Sequence, residues 1–283
     1  MSLFRPATRR AIGVGAAVLI FVLLAGATYQ GVLTALERRE FPRPGGLVSV
    51  GDHQLHIYCT GIGSPTVVLE TPAAGVTAAW GEVQRRLSQL TRVCSYDRAG
   101  LGWSESGDRP FDPGRVPGEL RTLLTRATEP GPFVVVGHGL GAAFARAYAA
   151  RPDSGAAALV LVDLPTDSSA SEPGWIILAS PWLARAGVLR ASRLLSSKAD
   201  GLPSGGALRA FLNRPDHLTR AAAELDRWSD AVRLAADSPP ADVAQVVVDT
   251  GARDRIAFLT NPAAIDRVVT AIEGAVTTVR ASR

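Results

Sequence analysis

The 283-residue chain is 47% hydrophobic and 20% charged, with a formal net charge of +4. Apolar content on that scale can offset the ordering entropy of a sizeable core, which excludes a disordered or low-complexity chain. Two cysteines exclude a disulfide-dense scaffold and a cysteine-built zinc site, and Lys198 as the single lysine excludes a lysine-rich nucleic-acid patch.

Residues Ala11 to Tyr29 form 19 consecutive uncharged positions, and about 20 apolar residues span a bilayer core as a helix. A transmembrane helix is therefore expected over 11–30, with residues 1–10 as a cytoplasmic amino terminus. Arg5, Arg9 and Arg10 precede it without acidic partners, whereas Arg38 and Arg39 are interleaved with Glu37 and Glu40. That asymmetry places the amino terminus inside and the remaining domain outside the cell membrane. A cleaved signal peptide is the other reading, because Ala25-Gly26-Ala27 is a small-x-small site, and it would give a secreted protein. The apolar run continues past that site, which favours the anchor. Residues 41–46, Phe41-Pro42-Arg43-Pro44-Gly45-Gly46, read as a stiff linker to a domain over 47–283.

Leu47–Val50 and Gln54–Cys59 alternate across a Gly51-Asp52 turn and read as a hairpin. Four near-continuous apolar runs follow: Thr66–Leu69, Arg92–Tyr96, Phe133–Val136 and Leu159–Val162. Such runs suit strands of a parallel sheet covered on both faces. Helical stretches separate them at Trp80–Leu90, Glu119–Ala127 and Ala142–Arg151, the last stopped by Pro152. Residues from about 168 to 238 are helix-rich, broken by proline and glycine, and read as a helical cap inserted over the sheet. Within it, Trp175–Leu178, Trp182–Arg185 and Val188–Leu195 mix apolar and arginine positions. Packing on the sheet is one reading of that segment, and resting on a membrane interface is the other. One strand, Gln245–Val248, and a helix opened by Asn261 and Pro262 complete the pattern. Ile265, Val268, Val269 and Ile272 give that helix an apolar stripe.

Phe133-Val-Val-Val-Gly137-His138-Gly139-Leu140-Gly141 before a helix has the strand, G-x-x-x-G turn and helix context of a nucleophile elbow. Leu55-His-Ile-Tyr-Cys-Thr-Gly61, Pro65-Thr-Val-Val-Leu-Glu70, Tyr96-Asp-Arg-Ala-Gly-Leu-Gly-Trp-Ser104 and Leu159-Val-Leu-Val-Asp163 flank it in order. With these motifs the chain resembles the α/β-hydrolase superfamily, in an esterase- and lipase-like, membrane-anchored bacterial branch. The resemblance implies an α/β fold: a mostly parallel sheet flanked by helices, with a cap and an N-terminal membrane helix. In that family the middle of the elbow attacks the substrate and is normally serine, but here it is Gly139, which has no side chain to do so. The oxyanion hole would take one N–H from Leu140 and one from the loop Glu70-Thr-Pro72-Ala73-Ala74-Gly75. Pro72 has no N–H, and Ala73 is the donor that remains. The family's general base is a histidine after the last strand. Asp249-Thr-Gly-Ala-Arg253-Asp254-Arg255-Ile256 contains none, and no histidine follows His217. A strand to carry the catalytic acid is not evident between Arg220 and Val243.

Degeneration of the triad is therefore expected, with no catalytic residue and no cofactor or metal. A residual pocket around Ala73, His138, Gly139 and Leu140 would serve binding or scaffolding, with a membrane, a small lipophilic ligand or a protein as partner and no nucleic acid. The competing expectation is an active hydrolase of small or lipophilic carboxylic esters using relocated residues. His138 reads as structural. His53 and His56 fall on opposite faces of the hairpin. His217 reads as a surface histidine, with a displaced base as its sharper reading. Asp163 ends a strand beside the elbow strand and, without a histidine to orient, reads as structural. Gly102-Trp-Ser104-Glu-Ser106 starts like an elbow but lacks its final glycine. Asp97 and Arg98 are expected to hold the turn after their strand. The resembled fold makes the strands of Cys59 and Cys94 neighbours, so the two are a candidate disulfide outside the cytoplasm, two buried thiols being the alternative.

Overall fold

The computed structural model of the chain describes residues 6–165, 174–200, 202, 205–239, 241–251 and 261–282. Helix α1 (Pro6–Glu40) runs past the predicted 11–30 at both ends. No proline lies between Pro6 and Glu40, so the helix continues until Pro42 and Pro44 forbid it. Its apolar stretch has a mean hydropathy of 2.4 and is exposed, long and apolar enough to cross a membrane.

Seven strands among the described residues form one sheet. These are β1 (Gly46–Ser49), β2 (Gln54–Thr60), β3 (Thr66–Glu70), β4 (Val93–Tyr96), β5 (Phe133–His138), β6 (Ala156–Val162) and β7 (Ala244–Val248). Their order is β1-β2-β4-β3-β5-β6-β7. The β1–β2 and β2–β4 pairs are antiparallel and all others parallel. Between strands lie α2 (Gly81–Leu87), α3 (Val116–Arg126) and α4 (Leu140–Ala149). Among the described residues, five α-helices connect β6 to β7: α5 (Trp175–Arg185), α6 (Val188–Ser192), α7 (Gly205–Phe211), α8 (Pro215–Asp226) and α9 (Trp228–Asp237). The chain then forms α10 (Pro262–Ala281), opened by Asn261, whose side chain accepts from the Ala263 and Ala264 amides.

Every residue of β3 and β5 is buried, because both faces are covered. Val67, Leu69, Val134, Val136 and Val160 meet α2 and the stripe Ile265, Val268, Val269 and Ile272 of α10. Val68, Val135, Leu159 and Leu161 meet Leu120 and Leu123 of α3 and Ala142 and Ala145 of α4. Each such side chain contributes about 1.5–3 kcal/mol by leaving water. The sheet is thus a rigid frame whose strand ends set the elbow.

Among the described residues no strand lies between Arg220 and Val243, where α8 and α9 occupy the chain; the strand beside β6 is β7, paired from Ala158↔Ala244 to Val162↔Val248 and followed by Asp249.

Candidate functional site: a glycine-tipped elbow beneath a tethered cap

β5 ends at His138 and α4 begins at Leu140, leaving Gly139 at the turn with φ 54° and ψ −123°. That conformation is strained for any residue with a side chain. The Gly139 amide donates to the Val162 carbonyl at 2.9 Å, and its own carbonyl accepts from Ala142 at 2.9 Å. The flanking glycines are imposed by packing. A Cβ on Gly137 would meet the Gly141 carbonyl oxygen at 2.3 Å, and one on Gly141 would meet the Thr71 carbonyl oxygen at 2.3 Å. A Cβ on Gly139 would meet only Pro72 Cβ, at 3.7 Å. The tip has room for a side chain and carries none.

Opposite the tip, the loop from Thr71 to Gly75 is held by a buried ion network. Arg98, 2% exposed, donates to the Thr71 carbonyl at 2.7 Å and the Pro72 carbonyl at 2.8 Å. It also donates to Glu70 at 2.5 Å and bidentately to Glu224 of α8 at 2.7 and 2.8 Å. The Ala74 amide donates to Glu224 Oε2 at 2.9 Å, and the Tyr96 hydroxyl donates to the Glu70 carboxylate. Burial pushes the Glu70 carboxyl above its ordinary value, against the pull of Arg98. Burial also opposes the charge on Arg98, but Glu224 and Glu70 outweigh it and hold the guanidinium more firmly protonated than usual. Arg98 thus does more than hold its own turn. It joins β4, the loop and the cap. Glu224 thus holds the Ala74 amide, one residue beyond Ala73, the loop donor that the sequence leaves for an oxyanion.

His138 is 3% exposed and turned from the tip: its Nε2 lies 3.3 Å from Asp163 Oδ2, and the Trp80 ring edge packs 6.3 Å from its centroid. Asp163, in a left-handed conformation at φ 48°, accepts from the Thr250 amide at 2.7 Å and hydroxyl at 2.5 Å. Burial works to raise the Asp163 carboxyl, but the bonds from His138 and Thr250 prevail and lower it. The three residues tie the ends of β5, β6 and the segment after β7.

His217 corrects the sequence reading. It is 3% exposed rather than on the surface, and burial lowers its pKa to about 4. Its Nδ1 accepts from the Gly102 amide at 3.2 Å. With Nδ1 used as an acceptor, Nε2 carries the proton, and neither nitrogen is left to act as a displaced base. His217 lines a mostly apolar cavity of about 100 Å³ with Pro72, Ala73, Leu208 and Phe211. His138, Gly139 and Leu140 are not in that wall, so the expected pocket keeps only Ala73 and gains cap residues. A larger groove of about 590 Å³ lies away from the elbow, between the segment 40–44, Tyr58, Gln84 and α7.

His53 precedes β2 and is buried, with Nδ1 2.9 Å from Asp52; His56 Nδ1 is 2.9 Å from Asp97 Oδ2 and its Nε2 2.5 Å from the Pro44 carbonyl. Ser104 donates to the Asp97 carbonyl at 2.6 Å, which makes it a turn residue. Cys59 and Cys94 face each other in the β2–β4 register and are joined, with Cα atoms 4.0 Å apart. Residues 253–256, where the sequence reading seeks the base, lie outside the described residues.

A family model described as alpha/beta hydrolase family matches residues 67–281. An uncharacterised protein of Schizosaccharomyces pombe is 33% identical over 114 residues, 38% of this chain and 21% of that protein. An uncharacterised vacuolar membrane protein of Saccharomyces cerevisiae is 38% identical over 77 residues, 27% of this chain and 12% of that protein. The chain thus matches about a fifth or less of these relatives' length. Among solved structures, a carboxylesterase of the thaumarchaeon Nitrososphaera gargenis superposes with a TM-score of 0.59 at 15% identity, over 82% of this chain and 99% of that one.

Proposed function

The chain belongs to the alpha/beta hydrolase family, and from that premise we propose that it is a membrane-anchored member that has given up hydrolysis and acts by binding or scaffolding. The observation that carries this reading is the glycine at the elbow tip, with room for a side chain and none present. Acyl transfer needs a nucleophile, a base to activate it and donors for the oxyanion. Gly139 supplies no nucleophile, the Nδ1 lone pair of His217 is taken by the Gly102 amide, and no histidine follows it. The cavity beside Ala73 suits a short apolar group rather than a charged one. The apolar α1, and a relative described as a vacuolar membrane protein, support membrane attachment. The arginines before the apolar stretch of α1 favour a cytoplasmic amino terminus with the domain on the other side.

A fluorophosphonate probe on the full chain in detergent tests this reading. No labelling above a heat-denatured control is expected, together with no turnover of short or long acyl esters. Covalent labelling mapped to a serine would replace it with a hydrolase using relocated residues.

A further inference from the structure

The carboxyl-terminal half of α1 packs against the cap. A Cβ on Gly26 would lie 2.2 Å from the Ala186 carbonyl oxygen, so the backbones of α1 and the α5–α6 turn are in direct contact. Four residues on, Gln30 is 4% exposed; its Nε2 donates to the Asn213 carbonyl at 2.6 Å and its Oε1 accepts from Arg190 at 2.9 Å. Arg190 also donates to Thr34 at 3.3 Å and forms an ion pair with Glu37. Positions 26, 30, 34 and 37 lie on one helical face, which fixes the height of the cap along α1.

That height conflicts with a cap standing clear of the membrane. At 1.5 Å per residue, Ala11 to Gly26 is about 22 Å, short of the roughly 30 Å hydrocarbon core. A core beginning just after Arg10 ends near Gln30, beyond the level at which Ala186 touches α1. α5, which runs into that Ala186 contact, carries an apolar face. Trp175 is 74% exposed, Trp182 72% and Leu178 49%, and their spacing sets them on one side of α5. Arg185 follows on that side with its guanidinium 5.1 Å from the Trp182 ring centroid. Tryptophan and arginine are the residues that settle at the headgroup boundary, rings in the acyl region and charge in the headgroups.

We propose that the α5 face bearing Trp175, Leu178 and Trp182 is seated in the headgroup–acyl boundary of the bilayer that α1 crosses. The proposal rests on α1 spanning a membrane, and continuity with that span selects lipid as the occupant of the face. α1 contains no tryptophan, Trp80 and Trp228 are buried, and Trp103 is half-buried against the His56 and Phe211 rings, so quenching by lipid reports on Trp175 and Trp182 of the cap rather than on the span.

The test is the full chain reconstituted into vesicles of phosphatidylcholine and phosphatidylglycerol with acyl chains brominated near the headgroup. After a carbonate wash the protein stays with the vesicles, and brominated lipid quenches about two-fifths of the emission, because two of the five tryptophans face lipid. Trp175→Phe/Trp182→Phe removes that quenching while the protein remains with the vesicles. Leu178→Cys carrying an environment-sensitive dye gives a blue-shifted emission on reconstitution, independently of the tryptophans. Protein retained but unquenched, with no dye shift, overturns the placement and leaves the span standing. Cross-linked dimers lost in the double variant, with no quenching, assign the face to a second copy instead. Protein released by the wash overturns the spanning helix, and the placement with it.

Discussion

Arg98 and Glu224 are 126 residues apart in the chain and meet through two parallel hydrogen bonds, Nε to Oε1 at 2.7 Å and Nη2 to Oε2 at 2.8 Å. The same guanidinium grips the carbonyls of Thr71 and Pro72, so the loop facing the elbow and the cap above it share one cation. Arg98→Met leaves two buried carboxylates without a counter-charge, and a loss of about 3–5 kcal/mol is expected. Glu224→Gln keeps an acceptor for the Ala74 amide and should cost less. Urea unfolding of the two variants measures the difference, and an Arg98→Met protein melting with the wild type would refute the network's role.

Gly139→Ser places a side chain where only Pro72 is near, at a backbone conformation that disfavours it by about 1–3 kcal/mol. The variant should fold, melt at a lower temperature and hydrolyse no ester faster than the wild type, because no base is placed to activate the hydroxyl. Turnover above wild type, followed with p-nitrophenyl esters, would restore the catalytic reading.

Acid should unlock the cap through His217. Its ring is held near pKa 4 against an ordinary 6.5, so the unfolded chain binds the proton first as pH falls. The group's contribution is complete above about pH 6.5 and is lost toward pH 4, by about 1.4 kcal/mol per unit and about 3 kcal/mol at the lower end. Urea midpoints recorded across that window should fall in the wild type and fall less in His217→Gln.

The strands and the elbow were legible because their signals are local. Thr66–Leu69 and Phe133–Val136 are apolar runs with no polar interruption, and Gly137 and Gly141 mark a turn too tight for any Cβ. The Arg98–Glu224 and His217–Gly102 contacts were not legible, since each joins residues more than 100 positions apart and no spacing announces them. One signal was available. His217, Ala221 and Glu224 follow helical spacing along the buried side of α8, and an acid on an apolar stripe implies a buried cation elsewhere. The continuation of α1 past its apolar run is likewise not announced by hydropathy: there Thr34 and Glu37 meet Arg190 of the cap.

The Cys59–Cys94 link closes a separation of 35 residues between strands already paired in register. In the chain-entropy account its removal costs about 4 kcal/mol. Peptide mapping without reductant should recover the joined pair from membrane-purified protein, and dithiothreitol should lower the urea midpoint; two free thiols would oppose an oxidising compartment.

Gly26→Leu forces a side chain into the Ala186 carbonyl and should separate α1 from the cap. Limited proteolysis of the full chain in membranes is expected to cut between Trp175 and Ser192 about tenfold faster than in the wild type, as local opening becomes easier. Unchanged cutting would mean that α1 and the cap are not packed there.

A domain gripped along its own anchor differs from one hung on a slack tether. With Gly26, Gln30, Thr34 and Glu37 docked, the sheet has one tilt and one azimuth relative to α1, and the face it offers does not vary by rotation. With α1 spanning a bilayer as proposed, a ligand or protein sharing that bilayer would meet it by lateral diffusion in a plane, already oriented. Recognition could then rest on a small contact area, because much of the rotational freedom that association normally removes is gone before the encounter.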